Sequence, residues 1–288
     1  MQWVRVCRLL PLLLARLAVG RRPSDDHARA AVPSPLLDAN AGGPTEPVRE
    51  VTLTILYDNS EYTPGLRTGW GFACLIEGLE KTILFDRGGD GQILLSNMEK
   101  LGIMPTVVDV VILSHVHADH TGGLQAFLRR SPEVTVFMPQ SFPMSLKRDA
   151  EEAGCRCTDV SQATEICRHA FSTGELGNSI REQALAVETA DGLVIITGCA
   201  HPGLVAMVRK TSQVAPRNIH LVLGGFHMSG MSETEVRSVI QELTRLGVER
   251  VGPCHCSGDR ARRLFRDTYG ERCLSVGVGR RVQLRAAE

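Results

Sequence analysis

The sequence lacks an excess of charge of either sign. Its 288 residues contain 32 Lys and Arg and 32 Asp and Glu, so the formal net charge is zero. Proteins that hold a nucleic-acid backbone or an anionic membrane surface use a basic excess to do so. We therefore exclude a general nucleic-acid binder and expect no membrane partner.

A hydrophobic run long enough to cross a bilayer is also missing. The most apolar stretch, residues 9–19, contains Arg16 and is shorter than the roughly 20 residues that a membrane span requires. With 43% hydrophobic and 22% charged residues, the composition is globular and excludes disordered and fibrous classes. The nine cysteines are odd in number and scattered, so we expect reduced thiols rather than a disulfide framework.

The first 48 residues differ in composition from the rest of the chain. Arg5 and Arg8 precede the apolar run, and a segment rich in Pro and Ala follows it, which cannot bury enough apolar surface to order itself. We predict a leader or disordered segment over residues 1–48 and one domain over residues 49–288. We expect a cytoplasmic protein. The alternative is that the first residues are a secretory signal or an organelle presequence, and a misassigned start codon would give the same sequence pattern.

From residue 51 onward, short β-branched runs alternate with helical patterns. The strands that we predict are 51–56, 72–76, 82–85, 107–113, 134–138, 184–188, 193–197, 219–223 and 248–251, with terminal strands over 274–284. The predicted helices are 91–101, 123–130, 233–246 and 258–269. Asp191-Gly192 predicts a hairpin turn, and Ser232 with Glu235 predicts a capping box. Two series of strands with helices predict an α/β (α+β) fold in which two sheets pack between helical layers.

The densest set of chemically active side chains is His115, His117, Asp119 and His120, directly after the predicted strand 107–113. Residues two apart in extended chain point to the same side, so His115 and His117 can present two imidazoles to one ion. Asp119 and His120, where the chain turns into the next helix, can face a second ion. Because such a cluster after a buried strand is rarely accidental, the spacing predicts two adjacent metal sites.

Three further histidines each follow a different predicted strand: His201, His227 and His255. Loops at the carboxyl ends of strands converge on one site in layered α/β folds, so we expect these side chains to meet the first cluster.

Thiols also lie next to these histidines in the sequence: Cys199, Cys254 and Cys256. We interpret them as packing residues. In Cys254-His255-Cys256, the neighbours of the strand-end histidine point to the opposite side, and free cysteine is commonly buried.

The His-x-His-x-Asp-His motif after a buried strand, with an aspartate at the end of an earlier strand and separate downstream histidines, resembles the metallo-β-lactamase superfamily. The resemblance implies a four-layer αββα sandwich with a dinuclear metal site at one edge, usually of zinc. It implies two ligand sets, which are His115, His117 and His201 for one ion and Asp119, His120 and His255 for the other. Asp86 matches the aspartate that supports the ligand loop. We expect two divalent ions as cofactors, zinc first and iron or manganese as alternatives.

Other positions allow more than one interpretation. Many hydrolases of the superfamily have a bridging aspartate where this chain has His227, which leaves His227 as a ligand, a proton carrier or a support for the ligands. Arg87, Glu182 and Gln183 are weaker candidates for substrate contact, since a guanidinium suits an anionic group. A solvent-exposed position is the alternative for each of the three.

We expect a metal-dependent hydrolase that acts on a small ester, lactone or phosphate-containing molecule. Two divalent ions would lower the pKa of a shared water toward neutrality, and Asp119 or His227 would move its proton. The segments 85–91, 198–203 and 223–227 resemble a subfamily whose archaeal members include a dihydropterin ribofuranosylaminobenzene 5′-phosphate synthase. That resemblance makes a diphosphate-releasing transferase the first alternative; a non-catalytic metal-binding module and a redox di-iron protein are the others.

Overall fold

The computed structural model describes residues 49–287. The predicted leader over residues 1–48 lies outside the described residues.

The first sheet of the described part is formed by strands from both ends of the domain. Its members are β1 (Glu50–Tyr57), β2 (Ala73–Glu77), β3 (Ile83–Phe85), β4 (Val110–Ile112), β5 (Thr135–Pro139), β6 (Arg156–Val160) and β13 (Arg281–Arg285). They pair in the order β13-β1-β2-β3-β4-β5-β6. The pairs from β3 to β6 are parallel, so their carboxyl ends lie along one edge of the sheet.

The second sheet is built from the later part of the chain. Its strands are β7 (Thr164–Cys167), β8 (Ala170–Ser172), β9 (Leu185–Thr189), β10 (Gly192–Thr197), β11 (Ile219–Gly225) and β12 (Arg250–Cys254). Their order is β12-β11-β10-β9-β8-β7. The three strands β10, β11 and β12 run parallel, which brings the loops after them to one edge.

Helices cover the outer face of each sheet. They are α1 (Gly91–Lys100), α2 (Ala118–Thr121), α3 (Leu124–Leu128), α4 (Met144–Glu152), α5 (Leu204–Val214), α6 (Glu233–Arg245) and α7 (Asp259–Tyr269). One apolar cluster fills the space between the sheets, a second packs α5, α6 and α7 on the second sheet, and a third packs α1, α3 and α4 on the first. These three clusters make the fold a four-layer αββα sandwich, as predicted.

Two local predictions are confirmed, and two predicted strand segments are longer than the strands in the structure. The terminal strands predicted over 274–284 are reduced to β13. Thr189 pairs with Gly192 in the β9–β10 hairpin, and Ser232 and Glu235 form a reciprocal capping box at the start of α6. The strand predicted over 107–113 is reduced to β4, because Pro105 opens a short 3₁₀ turn over Pro105–Val107. Among the described helices, none has the length and apolar character needed to cross a membrane.

Candidate metal centre

Loops from both sheets meet at one edge of the sandwich. The loop after β4 carries His115 to His120, and the loops after β10 and β12 carry His201 and His255. His201 Nε2 lies 3.2 Å from His115 Nε2, and His255 Nε2 lies 3.2 Å from His120 Nε2. Residues that are 86 and 135 positions apart in the chain are therefore neighbours in space.

The first ligand group consists of His115, His117 and His201. Its three facing ring nitrogens all lie within 4.8 Å of one another, and His115 Nε2 is 3.1 Å from His117 Nδ1. Metal–nitrogen bonds of about 2.0–2.1 Å in a tetrahedral site place ligand nitrogens about 3.3 Å apart. The separations in the first ligand group fit a zinc-sized ion.

The second ligand group consists of Asp119, His120, Cys199 and His255, whose ligand atoms also lie within 4.8 Å of one another. Asp119 Oδ2 is 3.1 Å from His255 Nε2 and 3.6 Å from His120 Nε2. The sulfur of Cys199 is 3.2 Å from His120 Nε2. A carboxylate, two imidazoles and a thiol form a donor set that suits a transition-metal ion.

Hydrogen bonds hold the imidazoles of the second ligand group in place. Asp86 is fully buried, and its Oδ2 is 2.7 Å from His120 Nδ1. Asn59 Oδ1 lies 3.0 Å from His255 Nδ1, and Asp58 accepts the backbone N–H of His255. Because these partners occupy the Nδ1 side of both rings, the Nε2 side is left to face an ion.

Ser114 links Asp86 to the first ligand group. Its hydroxyl and backbone N–H both donate to Asp86 at 2.7 Å, and its oxygen is 2.9 Å from His115 Nδ1. Gly198 packs against the hydrogen-bonded side chains of Ser114 and Asp86, and a Cβ at this position would overlap the Ser114 hydroxyl. The loop after β10 can therefore approach the loop after β4 only through a glycine.

Glu182 fixes the loop that carries His201. Its carboxylate is fully buried and accepts the N–H groups of four consecutive residues, 198–201. Gln183 is also fully buried and donates to the carbonyl of Leu113 at 2.8 Å. This placement corrects the expectation of substrate contact for Glu182 and Gln183, because their polar atoms bond within the protein rather than facing solvent.

The position of Arg87 likewise differs from the expectation. Its side chain is fully buried, and among the described residues none of its guanidinium nitrogens has a hydrogen-bond partner. The guanidinium lies 5.5 Å from the centroid of the Phe127 ring, in the layer between the first sheet and its helices. Arg87 therefore does not present its charge to a substrate at the ligand groups.

The electrostatics of the site favour the neutral imidazole at two residues of the first ligand group, His115 and His201. Burial lowers the pKa of His115 far below its usual range, and the neighbouring imidazoles lower it further. Burial and the proximity of His227 lower the pKa of His201 to about 4. A neutral imidazole is the form that binds a metal.

In the second ligand group, neighbouring charges favour the charged forms of Asp119 and His120. Burial opposes ionisation of Asp119, but the hydrogen bond from His255 and the charges of His120 and His255 outweigh it and lower the pKa of Asp119 to about 2. Burial would lower the pKa of His120, but Asp86 and Asp119 together raise it. Asp119 is therefore ionised at neutral pH.

His227 lies beside both groups and belongs to neither. Its ring is 4.3 Å from that of His201 between centroids, and its ligand atom groups with the sulfurs of Cys199 and Cys256. Its side chain is exposed, and its backbone φ is +51°. Asp86, Ala200 and His255 also have positive φ, an uncommon conformation that clusters at functional sites.

Sequence reasoning missed several residues of this centre. The sequence predicts that Cys199 is a packing residue; it is buried, and its sulfur also lies within the second ligand group. Asp58 and Asn59 directly follow β1, and a polar pair at the end of a buried strand is a signal that could have identified them. Ser114 precedes the histidine cluster and had no such signal.

Comparisons with known proteins identify the family of this chain. The model of the metallo-beta-lactamase superfamily matches residues 71–153, which include the His115 to His120 cluster. The chain is 30% identical to the 7,8-dihydropterin-6-methyl-4-(beta-D-ribofuranosyl)-aminobenzene-5'-phosphate synthase of Methanocaldococcus jannaschii, over 80% of this chain and 95% of that protein. The chain belongs to the metallo-β-lactamase superfamily.

Solved structures of the superfamily support the same assignment. One is the crystal structure of Tm1679, a metal-dependent hydrolase of the beta-lactamase superfamily. The match covers 82% of this chain and 99% of the Tm1679 chain, with 26% identity and a TM-score of 0.69. A diphosphatase from the PhnP family covers 83% of this chain and 99% of its own, with 13% identity and a TM-score of 0.56, which shows a shared fold alone. This metallo-β-lactamase domain is thus an enzyme-type scaffold whose two ligand groups suit metal binding.

Proposed function

We propose that the protein is a metal-dependent hydrolase that binds two divalent ions, zinc in first place, and acts on a small ester, lactone or phosphate-containing substrate. The convergence of the first and second ligand groups at one edge of the sandwich carries this proposal. The two groups adjoin, since the rings of His115 and His120 are 4.2 Å apart between centroids. Similarity to the hydrolase Tm1679 supports it.

The chain's own residues would divide the work. His115, His117 and His201 would hold one ion, and Asp119, His120 and His255 the other. When bound, such ions lower the pKa of water and polarise the oxygen under attack. Asp86, Ser114 and Glu182 would keep the ligands in place.

Asp119 and His227 are the residues that would move protons. Asp119 belongs to the second ligand group and its side chain is 22% exposed, so its carboxylate lies where it can exchange a proton with a molecule bound at the centre. His227 is exposed, and a hydrogen bond with Cys256 raises its pKa. It can therefore deliver a proton to a departing oxygen from the side of His201.

A cavity next to His201 and His227 supports a small-molecule substrate. Its volume is about 390 Å³, and its walls include Leu204, Phe226 and Met231, with Arg209 as the charged residue among those that line it. Sites for small ligands are mostly apolar with a few polar groups that fix orientation. On another side of the centre, the Trp70 ring packs 5.0 Å from that of His255 and is 60% exposed, which offers a second apolar surface.

A transferase is the second candidate, and the 30% identity to the archaeal synthase favours it. In that case the ions would stabilise a departing diphosphate rather than activate water, and an aryl acceptor would be required. Both candidates use the same ligand groups, so only substrates separate them.

The test is a paired assay on the full chain after metal removal and reloading with zinc. We expect hydrolysis of at least one member of a panel of esters, lactones and phosphodiesters, lost with a chelator and restored by zinc. Elemental analysis of the protein as isolated identifies the resident metal. Diphosphate release from a dihydropterin diphosphate only when an aryl acceptor is present would instead establish the transferase, and two bound ions without any turnover would indicate a binding module.

A further inference from the structure

A thiol lies inside the second ligand group. Cys199 is 3% exposed, and its sulfur is 3.2 Å from His120 Nε2, the nitrogen that faces the candidate ion position. The ligand atoms of Asp119, His120, Cys199 and His255 lie within 4.8 Å of one another. The sulfur thus lies 3.2 Å from one ligand atom of this group and within 4.8 Å of the other two.

The backbone of the loop after β10 sets the position of this sulfur. Glu182 accepts the N–H of Cys199 at 2.8 Å and the N–H of His201 at 2.9 Å, so one buried carboxylate orients both residues. Ala200, between them, has a φ of +60°. With the loop fixed in this way, the imidazole of His201 reaches the first ligand group while the sulfur of Cys199 reaches the second.

No other side chain of the described residues completes the second ligand group. Among residues 49–287, the groups of metal-ligating atoms that include Asp119, His120 and His255 have Cys199 as their additional member. His227 groups with Cys199 and Cys256 instead. Without the sulfur, an ion at this position would have three protein ligands. The sulfur adds a fourth, and zinc can expand to five ligands, which leaves a place for the water of the proposed function.

We propose that Cys199 is a ligand of the second ion through its sulfur, together with Asp119, His120 and His255. This inference rests on the metal binding in the proposed function. The thiol proton leaves to solvent as the ion binds, because the thiolate is the ligating form. A soft sulfur ligand gives the second site a preference for zinc, cobalt or cadmium over manganese or magnesium.

Cys256 provides a matched control. It is buried like Cys199, its sulfur accepts the N–H of His227 at 3.3 Å, and it lies 3.8 Å from the carbonyl oxygen of Cys199. It is absent from the group that contains Asp119, His120 and His255. Substitution of Cys256 therefore removes a neighbouring buried thiol without removing the proposed ligand.

The experiment measures metal–sulfur bonding directly in the full chain. Protein stripped with a chelator and reloaded with cobalt should show a sulfur-to-cobalt charge-transfer band, and zinc-loaded protein should show X-ray absorption from a sulfur at about 2.3 Å. Cys199→Ser should lose both signals and lower the zinc affinity of one site at least about tenfold, while the other site stays filled. Cys256→Ser should keep both signals.

Several results would overturn the proposal. Wild-type protein with two bound ions and no sulfur scattering would do so without any variant, and so the test survives if Cys199→Ser fails to fold. Signals that persist in Cys199→Ser, or that vanish in Cys256→Ser alone, would assign the sulfur to another residue. Failure to bind any ion would overturn both this inference and the proposed function, whereas bound ions with a sulfur ligand and no turnover would leave the inference standing and remove the hydrolase.

Discussion

The two ligand groups differ in how firmly the protein holds them before any ion binds. His120 and His255 are fully or almost fully buried, and each has its Nδ1 atom hydrogen-bonded, to Asp86 and Asn59. In the first ligand group, His117 and His201 are half-buried. Among the described residues, no hydrogen bond orients the remaining ring nitrogen of either one.

This difference indicates a division of roles. A second ligand group with fixed rings and an anionic carboxylate would bind its ion in one geometry, since ordering costs little when the ligands are already oriented. In the first ligand group, His201 lines the cavity at His227, so this half-buried ring can adjust to a substrate. The predictions below test whether loss of a ligand, a proton carrier or a support affects the two groups differently.

The largest effects should come from loss of a ligand in either group. His117→Ala and Asp119→Ala should each lose one ion of two and lower kcat/KM by on the order of a thousandfold or more, because both ions act on the same reacting atoms. Elemental analysis, circular dichroism and a hydrolysis assay check this. The fold should survive, since neither side chain belongs to an apolar cluster.

His220→Ala is the control for the ligand variants. His220 pairs with Glu249 at 3.0 Å outside both ligand groups, so its removal should leave metal content and turnover near those of the wild type. Full metal content in His117→Ala or Asp119→Ala would contradict the assignment of that residue.

A smaller effect should follow from substitution of His227, which belongs to neither ligand group. His227→Ala should lower kcat by about a hundredfold with both ions retained, as expected for loss of a proton carrier. Added imidazole should restore part of the activity by occupying the vacated space, and the pH profile should lose one limb. Loss of an ion in His227→Ala would instead make His227 a ligand.

The contrast in support between the groups can be tested at Asp86. Asp86→Asn removes the charge that faces His120 Nδ1, and we expect the affinity of the second site for zinc to fall by roughly 10- to 100-fold. The first site should change less, because Asp86 reaches His115 only through Ser114. Competition with a chelating dye measures the two affinities separately. An equal loss at both sites would remove the proposed difference between the groups.

Local spacing was sufficient to predict one part of this centre and insufficient for the other. His115, His117, Asp119 and His120 lie within six positions of one another, so alternation along extended chain and a following turn determine how they group. Parallel pairing in the second sheet brings the partners His201 and His255 to one edge, and the stacking of the two sheets brings that edge to the loop after β4. The outline of the sandwich was predictable for the same reason, since strand periodicity, the Asp191-Gly192 turn and the Ser232 capping box are local signals.

The direction of the Cys199 side chain could not be predicted from the sequence. It depends on four N–H groups that share the carboxylate of Glu182, 16 to 19 positions earlier, and on a positive φ at Ala200. A glutamate at the start of a predicted strand, such as Glu182, is normally exposed to solvent. No spacing rule predicts that it is buried against a later loop. Cys199 is buried, as the packing interpretation predicts, but it lies two positions from His201 in a non-extended loop, where the alternation of an extended strand does not determine the direction of its side chain.

The smallest expected effect concerns Arg87, which follows the supporting residue Asp86 and whose guanidinium lies over the ring of Phe127. At neutral pH the guanidinium is charged, since burial lowers its pKa only to about 9, and it lies among apolar side chains with the Phe127 ring as its neighbour. Arg87→Met should raise the free energy of unfolding by about 1–3 kcal/mol, because an apolar side chain of similar length avoids burial of an unpaired charge. Urea unfolding at pH 7 measures this change, and Arg130→Met, at an exposed position, should shift stability by no more than about 0.5 kcal/mol.

Metal content and turnover should stay unchanged in Arg87→Met, because the backbone N–H of Arg87, which donates to the carbonyl of His120, remains in the variant. A large fall in turnover would return Arg87 to the substrate site, and a loss of stability would show that the guanidinium has a partner within the first sheet's helical layer.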